Sequence, residues 1–129
     1  MEASARDDVR RACLGLIRAH FTNPDISQAW LAEQLHISRR QLNRCFEGGV
    51  GTGELLARRR LSAAAHLMRM RPDLPLQQIA IMCGYSTYET LRSQARRMYG
   101  LTPGELRAPA LAPALVASRR EPIRELRVP

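Results

Sequence analysis

Residues 31–38, Leu-Ala-Glu-Gln-Leu-His-Ile-Ser, return at a constant offset as residues 79–86, Ile-Ala-Ile-Met-Cys-Gly-Tyr-Ser. The correspondence continues beyond the octet. Leu42 matches Leu91 with one extra residue in the second turn, Phe46 then aligns with Ala95, and Gly51 with Gly100. One unit therefore occurs twice: a short helix, a tight turn, a longer helix and a glycine stop. Two helices that cross steeply need a small residue where they come closest, and Ala32 and Ala80 fill that place. Leu31, Leu35, Ile37 and Leu42 make the apolar seam of the first copy; Ile79, Cys83, Tyr85 and Leu91 make that of the second. Gly84 suits a turn with positive φ. His36 stands at the equivalent place in the first copy, at a modest backbone cost.

The flanking sequence is helical almost throughout. Between residues 7 and 21, Val9, Ala12, Cys13, Leu16, Ile17, His20 and Phe21 recur at the spacing of one helix face, and Asn23-Pro24 ends that helix. Ser27 caps a short helix with Trp30, Leu31 and Leu35, and a third helix covers about 39–47. The glycine run 48–53 follows a helix rather than a strand and lacks a Gly-Lys-Ser/Thr ending, so it is no phosphate loop. Glycine ends the third helix there, and Thr52 is expected to cap the next one. That helix runs over about 54–70, with Leu61, Ala64, Ala65 and Met68 on one face. Pro72 and Pro75 close it. A helix at 76–83, a turn at 84–86, a helix at about 87–98 and a stub after Thr102-Pro103 complete the pattern. The expected fold is all-α, with about seven helices in a domain spanning 1–107: helix-turn-helix units near 27–47 and 76–98, joined by a long linker helix. Residues 108–129 shift to a Pro/Ala/Arg-rich composition that reads as a flexible tail.

The 129 residues carry a net charge of +8, and none of the 20 basic residues is lysine. The arginine fork grips phosphates and guanine edges bidentately, so the balance points to a polyanionic partner. No apolar run is long enough to cross a bilayer, and the first dozen residues do not form a secretion signal. Cys13, Cys45 and Cys83 form no CxxC pair and fall on apolar stripes, which fits free buried thiols in a reducing cytoplasm. His20, His36 and His66 lie far apart without metal-ligand spacing, and no serine is paired with a base. The sequence therefore predicts neither an enzyme nor a cofactor or metal site.

With the repeat laid out, the chain resembles the DNA-binding domain of the AraC/XylS family of bacterial transcription regulators, and in particular its single-domain members. The resemblance is carried by LAEQLHISRRQLNRCF with a glycine five residues after the phenylalanine, by Arg60-Leu61 with Ala64, and by IAIMCGYS with the Gly100-Leu101-Thr102-Pro103 ending. It covers residues 7–107. Three departures stand out: the segment between Gly51 and Arg60 is two residues shorter than usual, Leu91 and Ala95 replace phenylalanines, and Ser93 stands where a basic residue is common. Loss of a core phenylalanine costs about 3–5 kcal/mol unless neighbours refill the space; Met98 and Tyr99 are the candidates for doing so.

The resemblance implies a sequence-specific regulator, an activator, that lays two recognition helices in successive segments of the major groove of double-stranded DNA. The outward residues of the first are Arg39, Arg40, Gln41, Asn43 and Arg44. Arg40 and Arg44, one turn apart, suit guanine O6/N7, Asn43 suits adenine, and Gln41 joins them as a base reader; Arg39 is assigned to phosphate. In the second, Tyr88, Glu89, Thr90 and Ser93 point outward as base readers, with Glu89 able to accept from cytosine N4. Arg92, Arg96 and Arg97, together with Arg58 and Arg59 of the linker, are assigned to phosphates that hold register without reading sequence. Arg60 reads equally as a phosphate ligand and as a structural hydrogen-bonding residue. A rigid linker would set the recognition helices about one DNA turn, roughly 34 Å, apart. No heptad pattern supports a dimer, so a monomer on DNA is expected. The alternatives are a basic helical adaptor for a protein such as RNA polymerase, and the DNA-binding fragment of a larger regulator.

Overall fold

The structure, a computed structural model, describes residues 3–107; the expected tail at 108–129 lies outside them. Seven helices follow one another: α1 (Ala3–His20), α2 (Gln28–Gln34), α3 (Arg39–Cys45), α4 (Thr52–Met70), α5 (Leu76–Met82), α6 (Tyr88–Tyr99) and α7 (Pro103–Arg107). The described residues hold no strand, and the fold is all-α as the periodicity required.

Local chemistry sets the helix ends. The Ser27 hydroxyl accepts from the Trp30 N–H to open α2. Ser38 opens α3 with a full capping box: its hydroxyl accepts from Gln41 N at 3.0 Å, and Gln41 Oε1 accepts from Ser38 N at 2.8 Å. Thr87 caps α6 through Thr90 N, and Gly100 ends that helix in the left-handed conformation at φ 71°. Thr102 and Glu105 cap α7 reciprocally. The turns of the two copies share a left-handed residue, His36 at φ 57° and Gly84 at φ 93°.

Two expectations need correction. Helix α1 begins at Ala3, four residues before the apolar pattern does, and its first turns carry Arg10–Asp7 and Arg11–Asp8 ion pairs. Of the face read from the sequence, Cys13 and Ile17 are fully buried, whereas Ala12 and His20 are exposed. Second, Gly51 is the N-cap of α4, not Thr52. Thr52 lies inside the helix, 1% exposed, and its buried hydroxyl has no hydrogen-bond partner. It serves as a small core residue at the cost of one unsatisfied polar group.

Two cores result, and α4 belongs to both. The first gathers Cys13 and Ile17 of α1, Leu31 and Ala32 of α2, Leu42, Cys45 and Phe46, and Leu55 and Leu56 from the start of α4. The second gathers Leu61, Ala64 and Met68 of α4 with Ile79, Ala80, Cys83, Tyr85, Leu91 and Ala95. Met98 and Tyr99 are buried in this core at 7% and 5% exposure, supplying side-chain volume beside Leu91 and Ala95. Burial pushes the Cys13 and Cys83 thiols up to about 11, so both are protonated core residues at neutral pH.

The two halves meet at the turn after α1. Arg60 Nε–H donates to the Phe21 carbonyl at 2.9 Å, and an Nη2–H donates to the Asn23 carbonyl at 2.8 Å. Arg60 is thus a structural hydrogen-bonding residue. Gly84 also abuts the Phe21 carbonyl, where a Cβ would stand 2.0 Å from that oxygen. Positive φ and lack of space both demand glycine there. Gly84→Ala is expected to destabilise the protein by at least about 1–3 kcal/mol, read as a lower urea midpoint. His36→Gly, at the matching turn of the first copy, should instead leave stability level or raise it slightly.

Candidate nucleic-acid interface

The face of α3 is built by subtraction. Leu42 and Cys45 turn inward with Phe46 at the helix end, leaving Arg39, Arg40, Gln41, Asn43 and Arg44 exposed in a single turn and a half. Among the described residues none pairs with Arg39, Arg40 or Arg44, and no acid stands on this helix. Three guanidiniums within one exposed stretch repel one another unless an anion lies against them. Gln41 is the exception to full freedom: its carbonyl oxygen is engaged in the capping box, which leaves the amide N–H groups to donate. The same bond holds the first turn of α3 in place, so Ser38 and Gln41 aim the arginines as well as ending the helix.

The corresponding face of α6 is different in kind. Glu89, Thr90, Arg92, Ser93 and Arg96 are exposed. Thr90 is drawn into the cap through a 3.1 Å contact between its hydroxyl and that of Thr87. Arg92 stands 3.5 Å from Glu89, a loose surface pair. Tyr88, expected to point outward as a base reader, is half-buried and packs in part against the second core.

Three of the arginines assigned to phosphate are occupied inside the protein. Arg97 forks onto Glu54, with nitrogen–oxygen distances of 3.0 and 3.2 Å, and also donates to Gln94 Oε1. Arg58 is mostly buried, its Nε 3.8 Å from the same Glu54. Arg59 lies over the Phe21 ring, 4.7 Å from its centroid, in a groove with His66, Arg69 and Met82 to which neither recognition helix contributes. Burial, first, and the nearby Arg18, second, lower its pKa from the ordinary arginine value. The sequence reading assigned these three to phosphate as basic residues of the linker and second recognition helix; Glu54 and Phe21, which engage them, come together only in the fold.

Comparison with known proteins places the family and the fold. A helix-turn-helix domain family model matches residues 31–109, from the first short helix past α7. The chain belongs to the AraC-type helix-turn-helix family. It is 34% identical over 96 residues to the HTH-type transcriptional regulator VirS of Mycobacterium tuberculosis, covering 74% of this chain and 28% of VirS. The chain thus spans well under a third of that relative's length. Among solved structures, the C-terminal domain of AraT, a response regulator from Geobacillus stearothermophilus, superposes with a TM-score of 0.72 at 29% identity over 77% of this chain and 83% of that one. The C-terminal domain of the response regulator YesN from Fusobacterium nucleatum superposes at 0.73 with 20% identity, over 78% of this chain and 99% of that one, which shows the shared AraC-type fold.

No group of His, Cys, Asp and Glu among the described residues is placed to hold a metal ion, and no described helix is long and apolar enough to cross a membrane. Removing the α3 cap tests how the face is held. Ser38→Ala is expected to lower stability by about 1 kcal/mol and to speed amide exchange selectively at residues 39–42, leaving the α6 amides unchanged.

Proposed function

We propose that this AraC-type chain is a sequence-specific, DNA-binding transcription regulator that docks α3 and α6 into successive segments of the major groove as a monomer. The observation that carries it is the α3 face: five exposed polar residues, three of them arginines without an intramolecular partner among the described residues, on a capped helix of a helix-turn-helix unit. Arg40 and Arg44 read guanines, Asn43 reads adenine, and Gln41 donates through its amide. Glu89, Thr90 and Ser93 read bases from α6, and the Tyr88 ring edge borders that contact. Arg39, Arg92 and Arg96 take phosphates, while Arg58 and Arg97 reach DNA only by leaving Glu54, and Arg59 only by leaving Phe21. The first head contributes most of the affinity, since Glu89 repels phosphates near the second. Its setting is the cytoplasm, and its effect is activation through contact with RNA polymerase. The exposed Met70, Ile81 and Met82 at the far ends of α4 and α5 offer apolar surface for that protein contact.

Selection from random double-stranded DNA tests this reading. A regulator of this kind enriches a motif of two half-sites within one to two helical turns; recovery of no motif would remove sequence-specific DNA binding and leave the protein-adaptor role. On the recovered site, Arg40→Ala is expected to lose about 1–3 kcal/mol and to relax one base position. An unchanged motif for that variant takes Arg40 out of the set of readers.

A further inference from the structure

A helix shared by two cores fixes their separation and limits bend and roll, and a contact made off its axis restrains them further. Leu55 and Leu56 of α4 pack in the first core, while Ala57 and Leu61 pack in the second, so the helix passes from one core to the other within the single turn 56–61. Arg60 stands at that crossing. Its Nε–H and an Nη2–H reach off the helix axis to the Phe21 and Asn23 carbonyls, at 2.9 and 2.8 Å, in the turn that joins α1 to α2. Gly84, the turn residue of the second unit, approaches the same Phe21 oxygen so closely that a Cβ there would stand 2.0 Å from it and 2.8 Å from Arg60 Nε. One carbonyl of the first head therefore meets both a guanidinium of the shared helix and the bare backbone of the second head. The Arg97–Glu54 pair also ties α6 to the start of α4, but with side chains 50% and 35% exposed it yields readily to solvent and salt.

We propose that this contact is a clamp that sets the phase between α3 and α6, and that Arg60 is a positioning residue through which the protein discriminates DNA sites by the spacing of their half-sites. The inference rests on the DNA-reading function proposed above. Its logic is geometric. Each base pair inserted between half-sites moves the second by about 3.4 Å and turns it by about 34° around the duplex. Heads free to roll follow such a change; heads locked through Phe21 do not. A guanidinium suits the task because its planar fork meets two carbonyls at once, whereas an ammonium is a point donor on a flexible stem. With two of its nitrogens committed to carbonyls, Arg60 is also poorly placed to act as a phosphate ligand.

The test uses the full chain, its selected site, the same site with one to five base pairs inserted between half-sites, and the isolated first half-site. Wild type is expected to lose about tenfold or more in affinity on insertion of one or two base pairs. Arg60→Ala should bind the isolated half-site within about twofold of wild type, bind the intact site more weakly, and show an insertion penalty of less than about threefold. Arg60→Lys, which keeps the charge and one donor, should fall between them; it carries the comparison if the alanine variant does not fold. The slope of log affinity against log salt on the half-site should stay the same, and a slope smaller by about one would make Arg60 a phosphate ligand and overturn the proposal. An insertion penalty equal to wild type would overturn it too.

A DNA-free measurement separates the clamp from the function it serves. Residual dipolar couplings of residues 3–107 should fit one alignment tensor in wild type and require two, one per head, in Arg60→Ala. A single shared tensor in the variant, with wild-type orientation, sinks the clamp whatever the DNA results. Failure of wild type to select any DNA while the couplings behave as expected sinks the regulator reading instead.

Discussion

The carbonyl oxygen of Phe21 is where the two halves of this molecule are made into one. Each head owns only a small core, of a size that is marginal for an independent domain, and α4 alone would join them as a rod joins two beads. Accepting from Arg60 satisfies the backbone oxygen left open where α1 ends. The arginine in turn gains carbonyl partners that offset its partial burial, which pulls its pKa down from the ordinary arginine value. A hydrogen bond to a charged group of this kind contributes about 1.5–3 kcal/mol, more than an ordinary surface ion pair. Gly84 completes the contact by having no side chain to hold the second head away.

The heads so joined are unequal. The α3 face has no acid and no internal partner for its outward arginines among the described residues, whereas the α6 face carries Glu89, pairs Arg92 with it, and gives up Arg97 to Glu54. A phosphate approaching α3 meets three unengaged cations, and one approaching α6 meets cations already partly neutralised. Unequal heads make geometry more consequential. A weak second head adds to binding mainly through the effective concentration at which the first presents it, and that concentration depends on how tightly their relative orientation is held. A duplex whose second half-site is out of phase must then be bent to meet α6 or be bound by α3 alone.

Much of this was legible in the sequence because the duplicated unit is specified locally. The apolar seams, the small residues Ala32 and Ala80, the cap at Ser27, and the left-handed turns at His36 and Gly84 all follow from residues within a few positions of one another. The five exposed residues of α3 were equally readable, since the positions of Leu42 and Phe46 dictate which side faces out. The linker arginines were not. On a helical wheel Arg58, Arg59 and Arg60 are three similar cations, and what separates them is Glu54, Phe21 and the end of α1. The partial burial of Tyr88 was not legible for a related reason: the first turn of α6 lies closer to the second core than its polar sequence implies. Thr52 looks like a cap to any local rule, yet it is buried inside the helix and the capping position falls to Gly51.

The strong positive charge also divides in a way that composition cannot show. Three arginines serve the carbonyl ends of helices, where the backbone leaves acceptors open and the helix dipole favours a cation. Arg10 of α1 donates to the Cys45 carbonyl at the end of α3, at 2.8 Å. Arg60 serves the end of α1. Arg107 of α7 reaches the Leu74 carbonyl at 2.6 Å and those of Met68 and Arg71 at 3.4 Å, just where α4 stops. Each bond crosses more than thirty residues of chain, so these cations act as tertiary fasteners. Their charge still adds to the field of the protein, but the N–H groups so engaged are not available to bond a phosphate or a base edge. What carries the functional argument is the placement of Arg39, Arg40 and Arg44, since among the described residues these cations have no helix end to serve and no acid to meet, and α3 holds them together on one exposed face.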